Sequence, residues 1–244
     1  MSNTTTATGA SPAPLGLVAR FIGVITSPRE TFEAVVAHPR WLGMMAITVA
    51  IIAICSALPM TTEAGKEATL RTSVEQMESW GMTVSDQMYE QMRGRMWFAP
   101  YQTAIAVLVI TPIFTLLIAG ILFVVFNVAM GGGASFKQLM SVLVHAGVIT
   151  ALQQLFTGPV NYFRGAVTSA TNLAVLLPMV DPKSFMGRVL AMTDLFLIWY
   201  VVVLAIGLGV LYRRKTQPIA ITLFVIYAVI VLGFAAVMSR LGGQ

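Results

Sequence analysis

The sequence predicts an all-α fold: a polytopic helical membrane protein with five transmembrane helices, an N-terminal interfacial helix and an amphipathic helical loop after the first span. Three observations carry that expectation. Hydrophobic residues make up 57% of the 244 positions and charged residues only 10%, with a mean hydropathy of +0.82, which leaves too little polar surface to clothe a soluble globule. Five segments, 41–60, 101–130, 139–156, 189–212 and 219–238, approach or exceed the roughly 20 apolar residues that cross a hydrocarbon core of about 30 Å. The one sizeable polar region, 61–96, spaces its apolar residues as a helix does.

Residues 1–14, MSNTTTATGASPAP, have neither a basic n-region nor an apolar h-region, so they are expected to be a disordered tail and not a cleavable signal. Residues 15–40 read as cytoplasmic or interfacial amphipathic helices. Ser27 and Glu30 are spaced as a capping box, Pro28 occupies the first helical position, and Pro39 stops the helix. Phe32, Val35 and Val36 form an apolar stripe on it, a candidate surface for the headgroup region or for a partner.

The membrane domain then occupies 41–238. Its second span is longer than a bilayer needs and contains Thr111-Pro112, which predicts tilt or a kink. Its third carries Ser141, His145, Thr150, Gln153 and Gln154, and should insert only beside other helices. Between the first two spans, Leu70, Val74 and Met77, then Val84, Met88, Met92 and Met96, predict two amphipathic helices broken at Gly81, with Thr83 and Asp86 spaced to cap the second. Residues 172–180, NLAVLLPMV, are too short to span and predict an interfacial turn or short helix.

Five spans place the termini on opposite sides. The compact Arg213-Arg214-Lys215 cluster marks its loop as cytoplasmic, which puts the N-terminus inside and the C-terminus outside. The net charge of +5, from 15 basic and 10 acidic residues, fits basic membrane loops and gives no reason to expect a nucleic-acid partner. A single cysteine, Cys55, excludes an intrachain disulfide.

Several segments carry a resemblance. SPRETFEAVVAHPRW before the first span, GGGASFKQLMSVLVHAG leading into the third and TDLFLIWYVVVLAIGLG in the fourth resemble the Yip family, five-span proteins named as interactors of Ypt/Rab GTPases. The similarity runs from about Leu17 to Met238. It implies a five-helix membrane domain with a cytoplasmic N-terminus. Eukaryotic relatives bind small GTPases in vesicle traffic through a long N-terminal region; here that region is a short tail, a departure that weighs against GTPase binding. The compact chain is most like the bacterial members, which implies an inner-membrane location.

Chemistry-bearing motifs are few. His38 and His145 stand on different segments with no cysteine or carboxylate at ligand spacing, so no metal is expected. GxSxG, HExxH and kinase-like sets are missing, and no cofactor is expected. The segment GGGAS, at 131–135, lacks GK[ST] and a preceding strand, and reads as a tight connection. The methionine stripe of the polar loop reads as adaptable packing more readily than as Cu(I) ligation.

Two ionisable groups inside spans, Asp194 and His145, ask for a reason, since insertion of a charged residue costs roughly 2.5–3.5 kcal/mol. Asp194 shares a helical face with Ala205 and Gly209, a small-xxx-small packing surface, and His145 shares one with Gln138, Ser141 and Leu152. The preferred reading makes both structural, because a proton relay needs several aligned carboxylates and Asp194 stands alone within a span. A non-enzymatic membrane protein that organises membrane or partner proteins is therefore expected. Its expected partner is the lipid bilayer, with another membrane protein or a second copy as the candidate protein partner; a small proton-linked transporter or channel is the alternative.

Overall fold

The computed structural model describes residues 15–79, 81–182 and 184–241, so the expected tail at 1–14 falls outside them. The described chain is helical, and its only β-type pairing is one isolated antiparallel bridge between Asn172 and Asp194.

Two short helices, α1 (Leu17–Thr26) and α2 (Pro28–Ala37), meet at Ser27. Pro28 opens α2 and Glu30 stands in its first turn. The expected capping box does not form. Ser27 is also the C-cap of α1, its N–H committed to Gly23 O at 2.8 Å, and its side chain caps nothing. Thr31 Oγ1 donates instead to Ser27 O at 2.9 Å. Gly23 lets the two helices touch, because a Cβ there would lie 2.4 Å from Thr31 Oγ1.

The first span, α3 (Leu42–Ala57), is prolonged by a tight turn at Leu58–Thr61. The polar region follows as α4 (Glu63–Ser79) and α5 (Asp86–Gly94). Gly81 stands between them at φ +78°, a left-handed conformation that glycine adopts without a Cβ penalty. Ser85, not Thr83, caps α5 by accepting from Met88 N–H at 3.3 Å. The correction is one of register: the cap directly precedes the first helical residue.

Next comes α6 (Ala99–Phe123), which runs through Pro112 and ends in a widened turn at Val124–Ala129. The third expected span is two helices, α7 (Phe136–Ala146) and α8 (Val148–Arg164), meeting at Gly147. Ser135 and Gln138 form a reciprocal capping box at the start of α7. A short turn, Leu173–Leu176, capped by Asn172, precedes α9 (Phe185–Met192). The chain closes with α10 (Leu195–Leu211) and α11 (Thr216–Leu241).

Four helical runs are long and apolar enough to cross a membrane: Leu42–Thr61, Asp86–Val128, Phe136–Arg164 and Thr216–Ser239. The helix α10 has 17 apolar residues, at about 1.5 Å each the lower limit of a spanning length. The α7–α8 run is the least apolar and the most enclosed. Of its most hydropathic stretch 61% is buried, against 6% for the run containing α6 and 17% for α11. Around it, α3 packs on α6 and α8, while α10 packs on α2, α7 and α11. The core contains Phe32, Met44, Leu139, Met140, Ile149 and Leu208, all fully buried. Outward, Ile105, Leu108, Ile113, Leu117 and Ile121 of α6 and Ile221, Val225 and Val229 of α11 are exposed, as lipid-facing side chains should be. The protein is a polytopic helical membrane protein.

Candidate functional site

Asp194 stands in a gap that hydropathy does not reveal. The apolar residues on either side of it read as one span over 189–212, but the chain leaves helix at Thr193 and re-enters it at Leu195. Asp194 is therefore the N-cap of α10, in extended conformation (φ −118°, ψ 140°), and not a residue within a spanning helix that shares a face with Ala205 and Gly209. Its Oδ1 accepts from Phe196 N–H at 2.8 Å. Its Oδ2 accepts from Ser169 Oγ at 2.8 Å and Thr171 Oγ1 at 2.6 Å. Backbone bonds hold the same loop to the gap, from Leu173 N–H to Thr193 O at 2.8 Å and from Leu195 N–H to Thr171 O at 3.3 Å. A carboxylate with three donors, one of them the N-terminus of a helix, is well satisfied even when buried. The signal was present in the sequence: Thr-Asp directly before a long apolar run is an N-cap signature.

Beside this network is a polar cavity of about 200 Å³, lined among others by Cys55, Gln153, Thr157, Asn161 and Ser169. Asn161 is buried, and its Oδ1 has no hydrogen-bond partner. Gly158 closes the wall, since a Cβ there would fall 2.7 Å from Cys55 O.

His145 belongs to a different environment. It is fully buried in the last turn of α7. Its Nδ1–H donates to Ser141 O at 2.7 Å, and its Nε2 has no partner. Asp194 and His145 have no hydrogen-bond partner in common. Of the polar stripe expected around His145, Gln138 reaches another element, donating through Nε2 to Val36 O at 3.2 Å, while Ser141 Oγ turns back to Lys137 O at 2.9 Å.

The stripe on α2 is turned inward. Phe32 and Val35 are fully buried in a helix packed on α10 and α7, so they belong to the core and present nothing to lipid or a partner. Val36 is half-buried. On α10, Ala205 and Gly209 are buried, but the close contact with other helices occurs at Gly207. A Cβ on Gly207 would lie 2.6 Å from Val142 Cγ1 and 3.0 Å from the Phe32 ring. Gly209 instead accommodates the chain's own turn, where a Cβ would lie 3.0 Å from Thr216 Oγ1 and 3.1 Å from Arg214 O.

Arg20, on α1, is buried and has no carboxylate partner among the described residues; Nε donates to Leu15 O at 2.9 Å and Nη1 to Arg40 O at 3.3 Å. Burial, and then the charge of Arg40, lower its pKa. Among the described residues no group of three histidines, cysteines or carboxylates is placed to hold a metal ion.

Comparison with known proteins adds three findings. The membrane protein YknW of Bacillus subtilis (strain 168) is 28% identical over 228 residues, which is 91% of this chain and 88% of that protein. No solved structure matches. The family model described as the Yip1 domain matches residues 22–238. With that match extending from within α1 almost to the end of α11, the chain belongs to the Yip1 domain family.

Proposed function

We propose that this protein is a non-enzymatic membrane organiser, acting through the assembly of membrane or partner proteins and not by moving a solute. It is placed in the bacterial inner membrane with its N-terminus in the cytoplasm and its C-terminus outside. The observation that carries the reading is the saturation of Asp194. The one carboxylate expected inside a span is engaged at the end of a helix by two hydroxyls and a backbone amide, which supports a structural role as a helix cap that ties the preceding loop to α10. His145 shares none of its partners, which supports separate structural roles for the two groups. The orientation rests on the basic cluster between α10 and α11.

In-cell crosslinking followed by partner identification, paired with flux measurements in liposomes, tests the proposal. Reproducible recovery of a specific membrane protein, or of the chain with itself, together with no pH-dependent flux, is the expected result. Wild-type flux that Asp194→Asn abolishes would overturn it in favour of a proton-linked transporter.

A further inference from the structure

The loop that joins α10 to α11 carries an anomaly. Arg214 N–H donates to Gly209 O at 2.9 Å and Arg213 N–H to Val210 O at 3.3 Å, the paired 6→1 and 5→2 bonds of a Schellman helix end. That motif places its penultimate residue in left-handed conformation, usually as glycine. Here the residue is Arg213, at φ +51°, the one described non-glycine residue with positive φ. Arginine gives up conformational stability that glycine would supply at this position, so the side chain is retained for something other than the turn.

Opposite it is the glycine loop. Gly131 is at φ +68°, and a Cβ on Gly132 would fall 2.6 Å from Phe126 O and 2.7 Å from the Tyr212 ring. Arg214 Nη2 fastens the two loops by donating to Met130 O at 3.1 Å. Between them opens a cavity of about 430 Å³, lined by residues 131–134 and 210–214 with Val36 and Gln138, none of them acidic. Arg213, Arg214 and Lys215 are exposed, and no described salt bridge involves them. The Tyr212 hydroxyl, buried in the wall, also has no partner. All these elements are at one end of the bundle, where α7 and α11 begin and α10 finishes, and the ends of helices that cross a hydrocarbon core meet the headgroup region.

We infer that this cavity is a binding site for the phosphate of an anionic phospholipid headgroup, with Arg213 and Lys215 supplying charge, Arg214 holding the two loops together and the glycines allowing the backbone to approach. Its position at the ends of spans selects a lipid over a free phosphate compound. The site requires neither a particular orientation in the membrane nor the organising role proposed above.

The test titrates purified protein with short-chain phosphatidylglycerol, with phosphatidylcholine of the same chain length and with inorganic phosphate, read by native mass spectrometry. Each basic residue near a lipid surface is worth roughly fivefold in binding. The double variant R213G/K215Q is expected to lose on the order of 30-fold for phosphatidylglycerol. Its melting temperature should equal or exceed the wild type's, because glycine suits the left-handed position. Gly133→Asp, where a Cβ meets nothing within 4 Å, should weaken the same binding without unfolding the protein. Equal retention of the two lipids by the wild type, or unchanged binding in R213G/K215Q, would overturn the site. Displacement of phosphatidylglycerol by equimolar inorganic phosphate would overturn its assignment to a lipid.

Discussion

Asp194→Asn retains an acceptor for the Phe196 amide and a polar group facing Ser169 and Thr171, whose hydroxyls can reorient, so its melting temperature in detergent should stay close to the wild type's. Asp194→Leu removes the cap and the acceptor shared by the Ser169 and Thr171 hydroxyls, and should cost about 1–2 kcal/mol. Equal losses from the two would show that the cap is not what Asp194 supplies. Gly207 offers a sharper test of packing. A methyl group at this position would meet Val142 and Phe32 inside contact distance, so Gly207→Ala should destabilise by about 1–3 kcal/mol, while Gly120→Ala, with open space around it, should not. The sequence made Asp194, Ala205 and Gly209 visible by type and spacing. It could not separate Gly207 from Gly209, because which of two glycines faces a neighbouring helix depends on the rotation of α10 about its own axis, and every face of that helix is apolar.

Among elements, α2 shows how an amphipathic pattern under-determines its target. Phe32 and Val35 mark one face, and burial against lipid headgroups or against the bundle satisfies that face equally well in one dimension. The structure chooses the bundle because Gly207 leaves room for the Phe32 ring. Phe32→Ala should therefore lower stability by about 3–5 kcal/mol, measured as a fall in the detergent melting temperature, whereas Val18→Ala on the exposed side of α1 should change little. A small effect at Phe32 would mean that α2 detaches easily and is free to dock elsewhere. The helix boundaries tell a related story. Pro28 and Pro39 bracket α2 legibly, but the break between α9 and α10 was hidden within a hydropathic run, and the local Thr-Asp cap outweighs the long-range apolar average.

For the whole molecule, the reporter experiment follows from the basic cluster: a fusion after Gln244 should face away from the cytoplasm and one after Arg214 should face it, and the reverse pair of results would invert the orientation. The membrane class and the helical architecture were legible because composition and span length are global properties, insensitive to the rotation of any helix. The burial order of the helices was less so. The sequence did mark the third span as needing neighbours, and that span became the α7–α8 pillar, whose mean hydropathy of 1.6 contrasts with 2.2–2.8 for the other long runs. This pillar has a consequence for biogenesis. A ribosome delivers α7 and α8 before α10, the helix that later covers part of their surface, so the most polar span must wait in or beside the insertion machinery for a partner not yet made. Nascent chains truncated at Ser184 should leave this span accessible to externally added protease or extractable by alkali, and chains extended through Leu211 should protect it.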